Sequence, residues 1–144
     1  MKVLYLFILS LSVGFLASCN KCDATNSTGG DIIDNAIVRV VHHPSGPLMV
    51  TDAGQVNFDI EVSFDNGFSY DKVDFGKYAA LYLPTRAECH AGYERIVNIS
   101  GETVKYTINI TECGCDNKIN VANWVLIPSV PSDYEYIYEI NFED

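Results

Sequence analysis

The chain of 144 residues carries 19 acidic and 9 basic side chains, which gives a formal net charge of −10. Such an acidic domain is repelled by nucleic-acid phosphates and by anionic membrane surfaces, which excludes nucleic acid as an expected partner. The length suits one domain. A domain of this size buries roughly two-thirds of its unfolded surface, so it needs no metal or disulfide merely to fold.

The start of the chain has the pattern of an export signal. Lys2 precedes an apolar run, Val3–Leu16, which is shorter than the ~18 apolar residues that a membrane-spanning helix needs. The order Leu16-Ala17-Ser18-Cys19 resembles the lipobox of bacterial lipoproteins. That resemblance implies that residues 1–18 are a signal peptide and that Cys19 carries lipid. The protein would then be anchored to a membrane of the bacterial cell envelope (outer membrane, periplasmic or surface side). The alternative is an ordinary signal peptide, with Cys19 a plain thiol.

The segment after the lipobox is small and polar. Residues 19–31 contain two adjacent glycines and are predicted to form a flexible tether, with a single β domain over residues 32–144. Setting Cys19 aside leaves an even number of cysteines, which in an exported protein predicts disulfides. The candidate disulfide residues are Cys22, Cys89, Cys113 and Cys115.

The domain shows the two-residue period of β-strands. Apolar and polar residues alternate over Val56–Phe64, and the Asn-Gly pair that follows, in Asp65–Gly67, predicts a hairpin turn. Alternation also covers Tyr134–Phe142, with Ile137 as the single exception. Three continuous apolar runs are predicted to be more deeply buried strands. These runs are Ala36–Val41, Tyr78–Leu83 and Asn123–Ile127. The pattern predicts an all-β fold, a single antiparallel sandwich or barrel-like domain of about seven strands.

The best-defined local prediction is a hairpin over Tyr93–Glu112. With Gly101-Glu102 as a two-residue type II′ turn, nearly all apolar side chains fall on one face. The expected pairs are Ser100 with Thr103, Ile99 with Val104, Val97 with Tyr106, Arg95 with Ile108, and Tyr93 with Ile110. Extending the register places Cys89 opposite Gly114, between two cysteines. We therefore expect a bridge from Cys89 to Cys113 or Cys115, with the partner left open and a bulge at Gly114.

Several motifs in the second half of the chain resemble one family. They are Val73-Asp74-Phe75-Gly76-Lys77-Tyr78, Ala91-Gly92-Tyr93, Glu112, and Trp124-Val125-Leu126-Ile127-Pro128. Together they resemble the C-terminal domain of PrcB-like proteins, over residues 72–142. That family is named after a lipoprotein subunit that stabilises a surface protease complex.

The chain departs from the family pattern at Ala91, where glycine is usual, and in its cysteines. The resemblance implies an all-β, non-enzymatic domain and gives Asp74, Phe75, Tyr78, Gly92 and Tyr93 as family-motif residues. Tyr93 is predicted to pack in the core.

Some groups of residues suggest metal binding or catalysis, but simpler explanations are favoured. His42, His43 and His90 with the cysteines offer zinc ligands, but the usual paired-cysteine spacing is absent, so no metal site and no cofactor are expected. Oxygen-bearing residues crowd one turn without the EF-hand order, which favours a polar loop over a calcium site. They are Asp65, Asn66, Ser69, Asp71 and Asp74. No nucleophile elbow or phosphate loop is present, so no catalytic residue is assigned and the protein is not expected to be an enzyme.

These observations lead to one functional hypothesis and two alternatives. The first is a lipid-anchored envelope lipoprotein that acts as a non-catalytic binding or accessory subunit, with a protein partner in the envelope. An exported inhibitor or immunity-type protein, using loops over Pro84–Tyr93, is the second. The third is a surface glycan-binding protein with Trp124 and the tyrosines Tyr134, Tyr136 and Tyr138 as an aromatic platform, although their alternation favours the core.

Overall fold

A computed structural model describes residues 24–143. Ten strands, arranged in three sheets, make up nearly all of its regular structure. The only helical element among the described residues is the short 3₁₀ turn Ala53–Gln55, so none of them forms a helix long and apolar enough to cross a membrane. The strands are β1 (Ser27–Gly30), β2 (Ile37–Val40), β3 (Leu48–Val50), β4 (Ile60–Ser63), β5 (Asp71–Lys72), β6 (Tyr78–Glu88), β7 (Gly92–Ser100), β8 (Thr103–Thr111), β9 (Lys118–Pro128) and β10 (Glu135–Glu143).

The central sheet has the order β3-β6-β9, and β6 and β9 pair antiparallel over their whole length. Its side chains are buried on both faces. Leu81 and Ile127 point into one hydrophobic cluster, whereas Ala80 and Leu126 point into the other. A strand that is covered on both faces reads as a continuous apolar run, and this explains the runs that predicted buried strands here.

The other two sheets cover the two faces of the central sheet. The front sheet, β1-β7-β8-β10, contributes Val97, Tyr106 and Ile108 to the first cluster, all fully buried. The back sheet, β2-β4-β5, contributes Val40 and Val62 to the second. The described residues thus form a three-layered β structure, in which burial of each large aliphatic side chain stabilises the fold by about 1.5–3 kcal/mol.

The hairpin predicted over Tyr93–Glu112 is confirmed. β7 and β8 pair with Ser100 opposite Thr103 and Tyr93 opposite Ile110, and the pairs between them agree with the prediction. Gly101 has φ +59°, while Glu102 stays at negative φ, as a type II′ turn requires. The Asn-Gly turn is also confirmed, since Asn66 and Gly67 have φ +59° and +86° and β4 pairs antiparallel with β5.

The all-β class is confirmed, but the domain has about ten strands rather than seven. It is also mixed rather than antiparallel, because β1 runs parallel to β7 and β10 runs parallel to β8. β1, β3 and β5 are only two to four residues long, which is too short for a two-residue period to reveal them. The long predicted strand Val56–Phe64 is shorter than expected and begins at Ile60.

The predicted tether needs a correction. Ser27–Gly30 pairs with Glu94–Val97 as β1, and Asp31 N–H donates to the Val97 carbonyl at 2.7 Å. Ordered structure therefore begins before Ile32. A short strand of small polar residues at a sheet edge has almost no apolar pattern, so its composition resembles that of a flexible linker.

Candidate functional site

An apolar stripe is exposed along β10. Tyr138 is 53%, Ile140 36% and Phe142 55% exposed. These three residues, here called the edge stripe, are every second residue of the strand and therefore lie on one face of it. In the register with β8 they lie beside Tyr106, Ile108 and Ile110, all of which are fully buried. The core face of the front sheet therefore continues outward into an uncovered apolar surface.

The residues at the start of β10 behave differently. Tyr134 and Tyr136 are partly buried and pack against the first cluster, and the Tyr136 hydroxyl donates to the Tyr82 carbonyl at 3.2 Å. Burial raises the pKa of the Tyr136 hydroxyl far above its usual value. The prediction that the alternating tyrosines pack in the core is therefore correct for Tyr136 and wrong for Tyr138. A strand at the edge of the front sheet can extend past the layer beneath it.

The opposite face of β10 carries three glutamates, here called the acidic row. Glu135, Glu139 and Glu143 are all exposed, with Ile137, which is 40% exposed, and Asn141 between them on the same face. Lys105 of β8 reaches across this face and contacts Glu139, Nζ to Oε2, at 2.6 Å, and this hydrogen bond lowers the pKa of the Glu139 carboxyl. Glu135 and Glu143 have no ion pair with any other described residue. The row thus has one basic neighbour on the β8 side.

The outer edge of β10 is not paired with any described strand. The Glu135 N–H donates to the Glu102 carbonyl at 2.8 Å, so the odd-numbered residues of β10 point their N–H and C=O groups at β8. The N–H and C=O groups of Tyr138, Ile140 and Phe142 consequently face away from β8. One strand thus combines an apolar stripe, an acidic row and a set of outward-facing backbone groups.

A second cluster gathers sulfur and imidazole ligands. The ligand atoms of Cys89 and His90, in the turn between β6 and β7, and of Cys115, in the loop between β8 and β9, lie within 4.8 Å of one another. Glu88 joins the two segments, since its Oε2 accepts the N–H of Cys113 at 2.8 Å and of Cys115 at 2.9 Å. The Cys115 N–H, and then the other N–H groups of the β8–β9 loop, hold the pKa of the Glu88 carboxyl below its usual value.

This arrangement bears on the predicted ligands. His43 lies elsewhere, stacked on Tyr82 with the rings 5.9 Å apart, and its Nδ1 accepts the indole N–H of Trp124 at 3.0 Å. Neither His43 nor His42 joins the ligand cluster. The Sγ atoms of Cys89 and Cys115 are also the two atoms that a disulfide between these residues would join, so their proximity favours neither chemistry by itself.

No disulfide joins two of the three described cysteines. The expected bridge from Cys89 to Cys113 or Cys115 is therefore absent. β7 begins at Gly92 and β8 ends at Thr111, so the hairpin register does not continue to the cysteines. Gly114 takes φ +76°, which turns the chain where a bulge was predicted. The predictions for Cys19 and Cys22 lie outside the described residues.

The oxygen-rich turn is a self-contained loop. Both oxygens of Asp65 accept hydrogen bonds from the loop itself: Oδ1 from the Ser63 hydroxyl at 2.6 Å and Oδ2 from the Ser69 hydroxyl at 2.6 Å. The hydrogen bonds from Ser63 and Ser69 lower the pKa of Asp65 to about 2. Asp74 caps a different turn, binding the Gly76 N–H and the Lys77 ammonium. The carboxylates therefore stabilise two turns, and Asp71 and Asn66 do not converge with them.

The family-motif residues have structural contacts. Asp74 and Phe75 precede β6, and the Tyr78 N–H donates to the Asp74 carbonyl at 3.0 Å. Gly92 lets the segment before β1 approach, because a Cβ there would lie 2.8 Å from the Ala24 Cβ and 2.9 Å from the Thr25 carbonyl oxygen. Tyr93 is 6% exposed, which confirms the prediction that it packs in the core.

Sequence reasoning missed a polar group inside the core. Asn123 is 1% exposed, and its Oδ1 accepts from Arg95 Nε at 3.0 Å and Nη2 at 2.8 Å. Its amide nitrogen donates to the Leu83 carbonyl and the Thr85 hydroxyl. The available signal was an arginine in the apolar row of the predicted hairpin, since a partly buried guanidinium requires a polar partner.

The predicted aromatic platform does not assemble as one surface. Trp124 stacks on Tyr82 with centroids 4.7 Å apart and packs in the second cluster, whereas Tyr134 and Tyr136 pack against the first. The central sheet separates the two sets. Trp124 and the tyrosines therefore cannot offer a shared face to a glycan.

Comparisons of the chain with models of protein families, with curated proteins and with solved structures find no match.

Proposed function

We propose that this protein is a lipid-anchored bacterial envelope lipoprotein that works without catalysis, as a binding or accessory subunit held at the membrane through Cys19. A stabilising role in a surface protease complex is the specific form that the PrcB-like resemblance suggests. The observation that carries the binding role is the edge stripe. Exposed apolar surface at a strand edge is costly in water and is typical of a site that a partner covers.

The exported-inhibitor alternative draws less support from the fold. Inhibitory loops were expected over Pro84–Tyr93, but Pro84–Glu88 belongs to β6 and Gly92 and Tyr93 belong to β7. Only the turn at residues 89–91 projects between the strands. Ala87 and Tyr93 are buried, so most of this segment is committed to the core and cannot enter a target enzyme.

The anchor is tested by metabolic labelling with a fatty-acid analogue. The wild-type protein should take up label and fractionate with membranes, whereas Cys19→Ala should lose both properties. Absence of label on the wild type, or label that survives the substitution, would remove the anchor from the proposal.

The binding role is tested by affinity purification from detergent-solubilised envelopes. The wild type should recover a specific partner, and a double substitution in the edge stripe, Tyr138→Ser with Phe142→Ser, should release it. Phe68→Ser is the matched control, because Phe68 is 90% exposed but lies in the β4–β5 loop. If the partner is a protease, its activity in the complex separates the two hypotheses: an active enzyme supports the subunit and a blocked one supports the inhibitor.

A further inference from the structure

We propose that the ligand of β10 is an extended segment of a partner protein, in which apolar side chains alternate with lysine or arginine, and that it adds to the front sheet as a further strand. The inference rests on the proposed binding function and names the chemistry of the partner. Three properties of β10 carry it: the backbone groups at its outer edge, the edge stripe and the acidic row.

The backbone supplies the first argument. The outward-facing N–H and C=O groups of Tyr138, Ile140 and Phe142 form a ladder template over most of the strand, because alternate residues already pair with β8. β10 is nine residues long and contains no proline and no lysine, the residues that commonly protect edge strands from pairing. An added strand would satisfy these groups by β-augmentation.

The side chains require a partner with two different faces. A strand added beside β10 places every second residue next to the edge stripe, where apolar groups would cover Tyr138 and Phe142. Its remaining residues lie on the other face, beside Glu135, Glu139 and Glu143, with Ile137 and Asn141 between these glutamates. Because opposite charges on neighbouring strands are favourable and like charges are not, this face calls for basic residues.

The same rule argues against a second copy of this chain. If the β10 strands of two copies paired antiparallel over their whole length, Glu139 of one copy would lie opposite Glu139 of the other, and Glu135 opposite Glu143. Six carboxylates would then share one face, in a protein whose net charge is already −10. Like charges directly opposite each other destabilise strand pairing, so a homodimer through this edge is disfavoured.

The fold already contains half of the proposed arrangement. On the inner side of β10, Lys105 of β8 contacts Glu139 at 2.6 Å, while Tyr106 and Ile108 of the same strand lie along the apolar face. β8 thus presents a basic residue to the acidic row and apolar residues to the stripe. The partner strand would repeat this chemistry on the outer side, where Glu135 and Glu143 have no ion pair with a described residue.

The test measures binding of a fluorescent peptide to the full-length protein in detergent. The probe alternates valine and lysine and matches β10 in length. A peptide of the same composition, with its lysines in one block, controls for non-specific attraction to an acidic protein. The alternating peptide should bind at least about tenfold more tightly than the block peptide, and its affinity should fall as salt is raised. Equal binding of the two peptides would overturn the proposal.

Two sets of variants locate the site. Ile140→Pro removes an N–H that faces the open edge and leaves the hydrogen bonds to β8 intact. It should therefore lower the affinity for the alternating peptide by about tenfold without unfolding the protein. Glu135→Lys with Glu143→Lys should weaken binding and flatten its salt dependence. Phe68→Ser should change neither. Thermal unfolding of each variant verifies that the fold is retained. If the proline variant does not fold, Tyr138→Ser with Phe142→Ser, which removes two apolar side chains of the edge stripe, replaces it and should weaken binding of the alternating peptide by about tenfold.

Failure of this inference is distinguishable from failure of the binding function. If Ile140→Pro and the two charge reversals still recover the envelope partner at wild-type levels, the strand-addition proposal is wrong while the binding role stands. If the wild type recovers no partner although the alternating peptide binds at β10, the edge chemistry stands and the proposed role in the envelope falls.

Discussion

Gly92 shows how a motif residue can be required by contact rather than by backbone freedom. Its φ is not positive, yet the chain at Ala24 and Thr25 leaves no room for a Cβ. In the sequence, Gly92 stands out only as a family-motif residue that the resemblance implies. The actual requirement, the approach of a neighbouring segment, involves a contact between residues far apart in the chain, which local patterns do not reveal.

We expect Gly92→Ala to lower the free energy of unfolding by about 1–3 kcal/mol, because the added methyl overlaps the backbone of the segment before β1 and forces it away. Urea denaturation measures the change. Gly46→Ala is the control, since a Cβ there meets nothing within 4 Å. An equal effect of the two substitutions would show that the contact with Ala24 carries no energy.

Asn123 is the second residue that acts through the core. We expect Asn123→Ala to cost roughly 1–3 kcal/mol, because it leaves Arg95 without its acceptor and the Leu83 carbonyl without a donor. Asn141→Ala provides a matched comparison, since Asn141 donates to Asn109 on the sheet surface. Thermal or urea unfolding distinguishes them, and similar losses would contradict a special role for the core amide.

Asp65 makes the stability of its loop depend on pH. Its pKa in the folded protein, about 2, lies below the ordinary value of 3.8, so the folded state binds its proton less readily. The stabilisation is therefore complete above the ordinary value and is lost as the pH falls towards 2. We expect Asp65→Asn to remove this part of the acid sensitivity, measured by urea unfolding between pH 5 and about 2. Identical pH profiles for wild type and variant would refute a contribution of Asp65 to acid sensitivity.

At the level of elements, prediction from sequence succeeded where contacts are local. The β7–β8 hairpin has a two-residue turn and an apolar face, so a one-residue slip would expose Val97 and Ile99, and register followed from these facts. β10 was recognised as a strand, but its place at a sheet edge was not. Alternation marks which residues share a face, whereas the extent of the covering layer decides whether Tyr138 is buried or exposed.

The candidate site divides in the same way. Cys89, His90 and Cys115 were named from sequence, but their convergence depends on Glu88 binding the N–H groups of the β8–β9 loop, which residue types alone do not indicate. The acidic row could be read directly from the sequence of β10. Its contact with Lys105 could not, because β8 and β10 are parallel neighbours joined through β9 and a long crossover.

At the scale of the whole molecule, the three layers separate apolar residues that hold the fold from those that a partner would cover. Leu81 and Leu126 face opposite clusters of the central sheet and are both fully buried. Phe142 lies in the edge stripe and is half exposed. Leu81 and Leu126 lie in continuous apolar runs and Phe142 in an alternating strand, and the extent of the layers leaves the apolar face of that strand uncovered.

We expect Leu81→Ala and Leu126→Ala each to reduce the free energy of unfolding by about 2–5 kcal/mol, because each opens a cavity in a close-packed layer. Phe142→Ala should cost less than about 1 kcal/mol, since much of its ring is already in water. Urea denaturation of the three variants makes the comparison. A loss for Phe142→Ala as large as for the leucines would place β10 in the core and remove the docking surface.

Amide hydrogen exchange along β10 tests the docking surface most directly. It is compared between the purified full-length protein and the same protein recovered in complex from the envelope. We expect the amides of Tyr138, Ile140 and Phe142 to exchange much more slowly in the complex, while those of Ile137, Glu139 and Asn141, already bonded to β8, change little. Unaltered exchange at all three outward-facing amides in a complex that retains its partner would contradict partner binding at the edge of β10.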